Sequence, residues 1–160
     1  MKLYVISDTH GQTDRALEIY NQLSNIDYII HLGDLERDVK IIAERTGKSV
    51  ISVRGNNEFF STTPEFDILE TAYGNIFLTH GHRYKVKFHL QNLLYKAEEL
   101  GCKAAFFGHT HVPFYEEVNG IYLLNPGSLT LPAYKSQGSY AIVDISEDEF
   151  SASIFYYSPH

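Results

Sequence analysis

Five short blocks of the chain end in side chains that bind divalent metals: Asp8-Thr9-His10, Gly33-Asp34, Gly55-Asn56, Thr79-His80 and Gly108-His109-Thr110-His111. Carboxylates, imidazoles and an amide oxygen suit a broad range of first-row divalent ions, and no cysteine stands among them. Two such ions sharing one carboxylate would make a hydrolytic centre, because bound water becomes acidic enough to ionise near pH 7 and paired ions steady a developing oxyanion. Asp34 is the residue placed for sharing, one oxygen to each ion, with the remaining groups filling one ion or the other.

Each block also has a plainer reading. Asp8 could be a turn residue, Asp34 could cap a following helix, and Asn56 sits in Gly55-Asn56-Asn57, which spells an ordinary turn. His82, two residues past His80, could touch substrate or simply face solvent. His31 lies within an apolar run and reads as a core or supporting histidine, so it stays outside the ligand set. What lifts the blocks above these readings is position: each follows a short apolar run of the kind that forms a buried strand, and loops at strand ends are where α/β proteins do chemistry.

The elements behind the blocks follow from periodicity. Leu3 to Ile6 predicts a buried strand, and Ala16, Leu17, Ile19, Tyr20 and Leu23 follow helical spacing after Thr13 or Asp14, either of which could cap. Ile26 to Leu32 predicts a second strand, Val39 to Ala43 a second helix closed near Gly47, and Ser49 to Val53 a third strand. The pattern then turns β-rich: Phe66 to Tyr73 and Asn75 to Thr79 around Gly74, a helix from Leu90 to Leu100 stopped by Gly101, and a strand from Ala104 to Phe107. Asn119-Gly120 predicts a hairpin between Val112–Val118 and Ile121–Asn125, and strands at Tyr140–Ile145 and Phe150–Phe155 complete two sheets with helices outside. Asp8 and His10, and likewise His109 and His111, stand two apart, which in an extended segment would point both side chains the same way.

Length and charge bound the remaining choices. At 160 residues the chain fits one domain, 1-160, with a core that needs no staples, and 44% hydrophobic and 21% charged residues are ordinary for a globular protein. A net charge of -7 argues against broad nucleic-acid binding, which needs a Lys/Arg footprint. The single cysteine, Cys102, cannot form an internal disulfide, and no apolar stretch has membrane-spanning or signal-peptide character, so a cytoplasmic location is expected with no membrane partner. The tail Phe155-Tyr156-Tyr157 offers an aromatic surface for a homodimer and equally fits packing on its own sheet.

Taken in order, the five blocks resemble the signature of the calcineurin-like metallophosphoesterases, and the compact chain with Asn125-Pro126-Gly127-Ser128 is similar to the small YfcE-type phosphodiesterase branch. The resemblance implies a four-layer αββα sandwich with two mixed β-sheets. It implies that Asp8, His10, Asp34 and His111 hold one metal and that Asp34, Asn56, His80 and His109 hold the other, with Mn²⁺ favoured over Ni²⁺, Fe, Co²⁺ or Zn²⁺. The expected activity is dinuclear-metal-dependent phosphodiester hydrolysis by in-line attack of a metal-bridging hydroxide. An amide rather than a carboxylate at Asn56 leaves such a centre net positive, which draws in phosphate esters.

One departure from the family pattern is Asn57, where many members carry a histidine presumed to be the general acid. Asn has no titratable proton, and general-acid help is worth ~10²- to 10⁴-fold, so small diesters with good leaving groups, such as aryl esters, are the expected substrates. Two rivals use the same residues: a catalytically weak scaffold resembling the small subunit of the retromer coat, and a metal-dependent nuclease. Every ligand position is suitably filled, which argues against the first, and no basic stripe is present, which argues against the second.

Overall fold

The computed structural model describes residues 1–135 and 137–158, the side chain of Lys135 excepted. The chain runs β1 (Lys2–Ile6), α1 (Asp14–Gln22), β2 (Tyr28–His31), α2 (Glu36–Thr46), β3 (Val50–Ser52), β4 (Phe66–Glu70), β5 (Asn75–Thr79), α3 (Gln91–Glu99), β6 (Ala104–Phe106), β7 (Pro113–Val118), β8 (Ile121–Pro126), β9 (Ser139–Ile145) and β10 (Phe150–Tyr156). One sheet has the order β10-β9-β1-β2-β3 and the other β4-β5-β6-β8-β7. Both are mixed: β1, β2 and β3 run parallel, as do β5, β6 and β8, while β9, β10, β4 and β7 pair antiparallel.

Side-chain alternation along the strands builds the four layers. Leu3 and Val5 of β1, with Ala141 and Val143 of β9, face Ile76, Leu78 and Phe106 of the other sheet and form the inter-sheet core. The intervening Tyr4 and Ile6 point the other way, onto Ala16 and Ile19 of α1 and Ile42 of α2. On the far side, Phe77, Ala105 and Leu123 pack under Leu93, Leu94 and Ala97 of α3. The result is the expected αββα sandwich. Among the described residues no helix is long and apolar enough to cross a membrane.

The two sets of parallel strands matter most for function, because β1, β2, β3, β5 and β6 each release one of the five blocks at a carboxyl end. Strand and helix limits differ from expectation by one to three residues, most at Thr71 to Tyr73, which follow β4, and at the two ends of α2. Gly47 closes α2 in the left-handed conformation with its N–H on the Ala43 carbonyl. The expected side-chain caps are absent: Thr13 makes no capping bond to α1, and α2 is entered through Leu35, so Asp34 does not cap it. In the tail, Phe155 stacks on Tyr140 and the Tyr157 hydroxyl donates to Glu18, which leaves Tyr156 the more exposed of the three.

Candidate metal centre

The Asp8 carboxylate is fully buried, and its two oxygens have different surroundings. Oδ2 accepts hydrogen bonds from the Ser7 hydroxyl at 2.5 Å and the His109 backbone N–H at 3.0 Å. Oδ1 has no hydrogen-bond donor and faces Nε2 of His111 at 3.3 Å and of His10 and His80 at 3.8 Å. Asp34 brings Oδ2 to 3.6 Å from His10 Nε2 and 3.8 Å from His80 Nε2, while its Oδ1 also lacks a partner. Ligand atoms of Asp8, His10 and His111 lie within 4.8 Å of one another, as do those of Asp8, Asp34 and His80.

The imidazoles are turned so that lone pairs converge. His80 Nδ1 lies 2.7 Å from the Leu32 carbonyl oxygen, which can only accept, so Nδ1 carries the proton and Nε2 presents its lone pair. That Nε2 is 3.2 Å from the Asn56 Oδ1 and faces both carboxylates. His111 is fixed the same way by the Leu131 carbonyl at 2.6 Å. Lone pairs that meet head-on with no hydrogen between them repel, and a cation among them turns that repulsion into coordination; the donor set therefore fits divalent metals. The rings form two pairs, His10 with His111 at 5.2 Å between centroids and His80 with His109 at 5.0 Å.

Charge within the cluster is unevenly held. Burial alone would raise the Asp8 carboxyl, but contacts with His10 and His111, the nearby His80 and the Ser7 hydroxyl hold it well below the usual range. Burial raises Asp34. His10 and His111 are raised through Asp8, whereas burial, then the neighbouring His80, pulls His109 down to about 4.

The loops hold these residues in an unusual backbone. Asp8, His10, Asp34, His109 and His111 all have positive φ, between +48° and +69°. For L-residues this region costs of order 1 kcal/mol each, though Asp and His tolerate it better than most. Asp8 and His10 therefore converge through a tight left-handed turn, not through the alternation of an extended segment. His109 and His111, for the same reason, separate to different ring partners. Two glycines permit the close approach: a Cβ on Gly55 would lie 1.9 Å from Asp34 Oδ1, and one on Gly108 would lie 2.1 Å from Ser7 Oγ and 2.8 Å from Asp8 Oδ2.

Most of the supporting residues carry no signal in the sequence; His31, expected as a core or supporting histidine, is the exception. The Gly33 N–H donates to His31 Nδ1, so His31 Nε2 carries the proton and donates to Thr9 Oγ1 at 2.9 Å, and Thr9 donates in turn to Asp38 Oδ2 at 2.5 Å. Asp38 also accepts from the Gly11 N–H, which ties the loops after β1 and β2 to α2. All three side chains are fully buried, and burial pulls His31 down to about 4. Ser128 Oγ donates to the Asp8 carbonyl at 2.8 Å and Thr130 Oγ1 to the Thr9 carbonyl at 3.0 Å. Asn125 Nδ2 reaches Gly108 O and Thr110 Oγ1, which gives the Asn125-Pro126-Gly127-Ser128 stretch a structural task. Spacing could have singled out only that stretch and Thr9.

His82 stands beside the cluster, its ring 5.4 Å from that of His80 and 6.0 Å from that of His109, with Nδ1 buried and unpartnered. Asn57 Nδ2 approaches Asp34 Oδ2 at 3.5 Å. Arg54 and Arg83 both close on Glu65 at 2.5 Å.

Comparison with known proteins adds to this geometry. Residues 1–148 match the calcineurin-like phosphoesterase superfamily domain. The chain is 33% identical over 158 residues to the probable metallophosphoesterase YsnB of Bacillus subtilis (strain 168), covering 98% of this chain and 90% of that protein. It is 31% identical over 173 residues to the phosphodiesterase YfcE of Escherichia coli (strain K12), covering 90% and 88%. The crystal structure of Entamoeba histolytica Vps29 complexed with Zn²⁺ superposes with a TM-score of 0.82 over 98% of this chain and 92% of that one, at 22% identity, a likeness of fold alone.

Proposed function

The chain belongs to the calcineurin-like phosphoesterase superfamily, and on that premise we propose that it is a two-metal phosphodiesterase acting on small diesters with good leaving groups. One observation carries the reading: the unprotonated faces of His80 and His111, the Asn56 amide oxygen, Oδ1 of Asp8 and Oδ2 of Asp34 converge. Asp8, His10 and His111 would hold one ion, Asn56, His80 and His109 the other, and Asp34 would serve both. Asp8 shares in both close groups, but its Oδ2 is engaged by Ser7 and His109, so it has one oxygen to give. Both Asp34 oxygens are available, with only a 3.5 Å contact from Asn57, as a bridging carboxylate requires. When bound, the ions supply an acidic water for in-line attack and positive charge against the phosphate oxygens. Mn²⁺ is our choice among the ions this N/O set accepts.

The chain's own residues then decide the leaving group. Asn57 brings no titratable proton, and burial lowers His82, so that at neutral pH its imidazole is neutral and a poor acid. An ester oxygen must therefore depart as an anion on its own stability, which favours aryl esters and disfavours alkyl monoesters. The name of YfcE supports the diester class, at 31% identity.

The test is hydrolysis of bis(p-nitrophenyl) phosphate by metal-stripped protein before and after Mn²⁺, with Asp34→Asn alongside and metal stoichiometry read by calorimetry. Activity that returns with two ions per chain and is lost in the variant is the expected result. Folded protein that binds metal and hydrolyses nothing favours a scaffold role, the reading to which the Vps29 likeness in fold belongs.

A further inference from the structure

A cavity of about 460 Å³ adjoins the loop that carries His109 and His111 and lies outside the ligand set itself. That volume falls within the ~300–1,000 Å³ usual for small-molecule sites. Its walls are Val86, Phe88, Phe107, Thr110, Phe114 and Tyr134, with Lys87 between the first two. Thr110 separates His109 from His111 in the chain, so the cavity and the candidate ligands share one turn of backbone. Phe107 and Val86 are buried, whereas Phe88 is 84% and Tyr134 94% exposed. Two large aromatic side chains left in water beside this cavity have no packing role in the fold; they can gain one from a ligand.

The charge at the cavity suits the same ligand. Lys87 lines the cavity and forms no ion pair among the described residues.

Resting on the phosphodiesterase reading, we propose that this cavity binds the planar ring of the ester group the phosphate retains, packed against Phe88 and Tyr134, with Lys87 against the phosphate. The ring chemistry is shared by an aryl ester and a nucleoside ester, and the experiment separates the two. Methyl, phenyl and thymidine-5′ p-nitrophenyl phosphates all release the same p-nitrophenolate and differ only in the retained group. With Mn²⁺-loaded protein, the ring-bearing esters should show a KM about 10-fold below that of the methyl ester, the scale of one stacked ring. Phe88→Ala should shrink that gap severalfold; Phe88 is so exposed that its removal should leave the Tm in place. Lys87→Ala should raise KM for all three esters together.

A direct binding measurement keeps the two readings apart. Saturation transfer from metal-free protein to the ring protons of phenylphosphonate and of thymidine 5′-phosphate should be seen, and should weaken in Phe88→Ala. Equal KM values for all three esters, unmoved by Phe88→Ala, would overturn the ring site and leave the phosphodiesterase standing. If no ester is hydrolysed, the phosphodiesterase reading falls, and saturation transfer then decides: a signal that Phe88→Ala weakens supports the ring site, and its absence overturns it. A thymidine ester preferred over the phenyl one by KM identifies the natural ring as a nucleobase, and the reverse identifies it as aryl.

Discussion

The loops that present Asp8 and Asp34 and the loop that presents Asn56 solve the same problem by opposite means. Asp8, Thr9 and His31 are fully buried; Asp8 and Thr9 accept hydrogen bonds from the hydroxyls of Ser7, Ser128 and Thr130, and Thr9 donates to Asp38. Residues 54–65 lie mostly in solvent, with Phe59 85% and Phe60 100% exposed, and charged groups at the base tie the loop down. Arg54 pairs with Glu65, and Glu58 accepts from the backbone N–H groups of Gly55 and Glu36. Buried hydrogen bonds are little affected by salt, whereas half-exposed ion pairs are screened and worth little singly. Asp8 is thus held rigidly, and the Asn56 amide sits on a loop with room to adjust.

Substitutions on the two sides should separate these roles. The largest effect is expected for Asp8→Ala: loss of a ligand that contributes several kcal/mol of transition-state stabilisation should lower kcat/KM by ~10³-fold, read on the aryl diester. Asn57→His, on the exposed loop, should act in the opposite sense. A titratable proton there should raise hydrolysis of an unactivated alkyl ester by ~10²-fold, and no gain would break the link between Asn57 and leaving-group choice. Next, Asp38→Asn removes the charged end of the Thr9–His31 chain without touching a ligand, and should weaken metal binding by ~10- to 100-fold in a calorimetric titration.

Smaller effects concern stability. Burial lowers His31 from 6.5 to about 4, so below 6.5 the unfolded chain takes up a proton that the folded chain refuses. The stability this group contributes is whole above pH 6.5 and is withdrawn as the pH falls towards 4. His10 and His111, raised through Asp8, act in the opposite direction, so the measurement is a difference: metal-free His31→Gln should show a flatter fall in Tm across that window than the parent. Phe60→Ser should change stability by no more than ~0.5 kcal/mol by urea titration, since the ring is wholly in water.

Much of this molecule is legible in its sequence, and the illegible part has a common cause. Alternating and helical apolar patterns mark β1, α2, β5 and α3 because burial on one face or two dictates residue type directly. The ligand blocks are legible because few other uses need those side chains at successive strand ends. The backbone of the blocks is not: Asp, His and Asn are permitted in both extended and left-handed conformations, so alternation is the wrong geometry for Asp8 and His10. Asp38 reads as an ordinary acid in the first turn of a helix, and only the fold reveals that it is fully buried against Thr9. Gly55 and Gly108 read as turn formers, whereas their chief property here is the missing methyl that would strike Asp34 and Ser7. Contacts between distant segments have no local signature in any of these cases.

The bond from Ser128 to the Asp8 carbonyl spans 120 positions in the chain, and β1 is flanked in its sheet by β9 as well as β2. On the ribosome, at ~5–20 residues per second, Asp8 emerges of order 10 seconds before the hydroxyl that secures it. Through that interval the first strand has one edge unpaired, and the acidic turn lacks one of the hydrogen bonds that hold its left-handed shape. A chain stalled before Ser128 would carry every candidate ligand and still lack that bond.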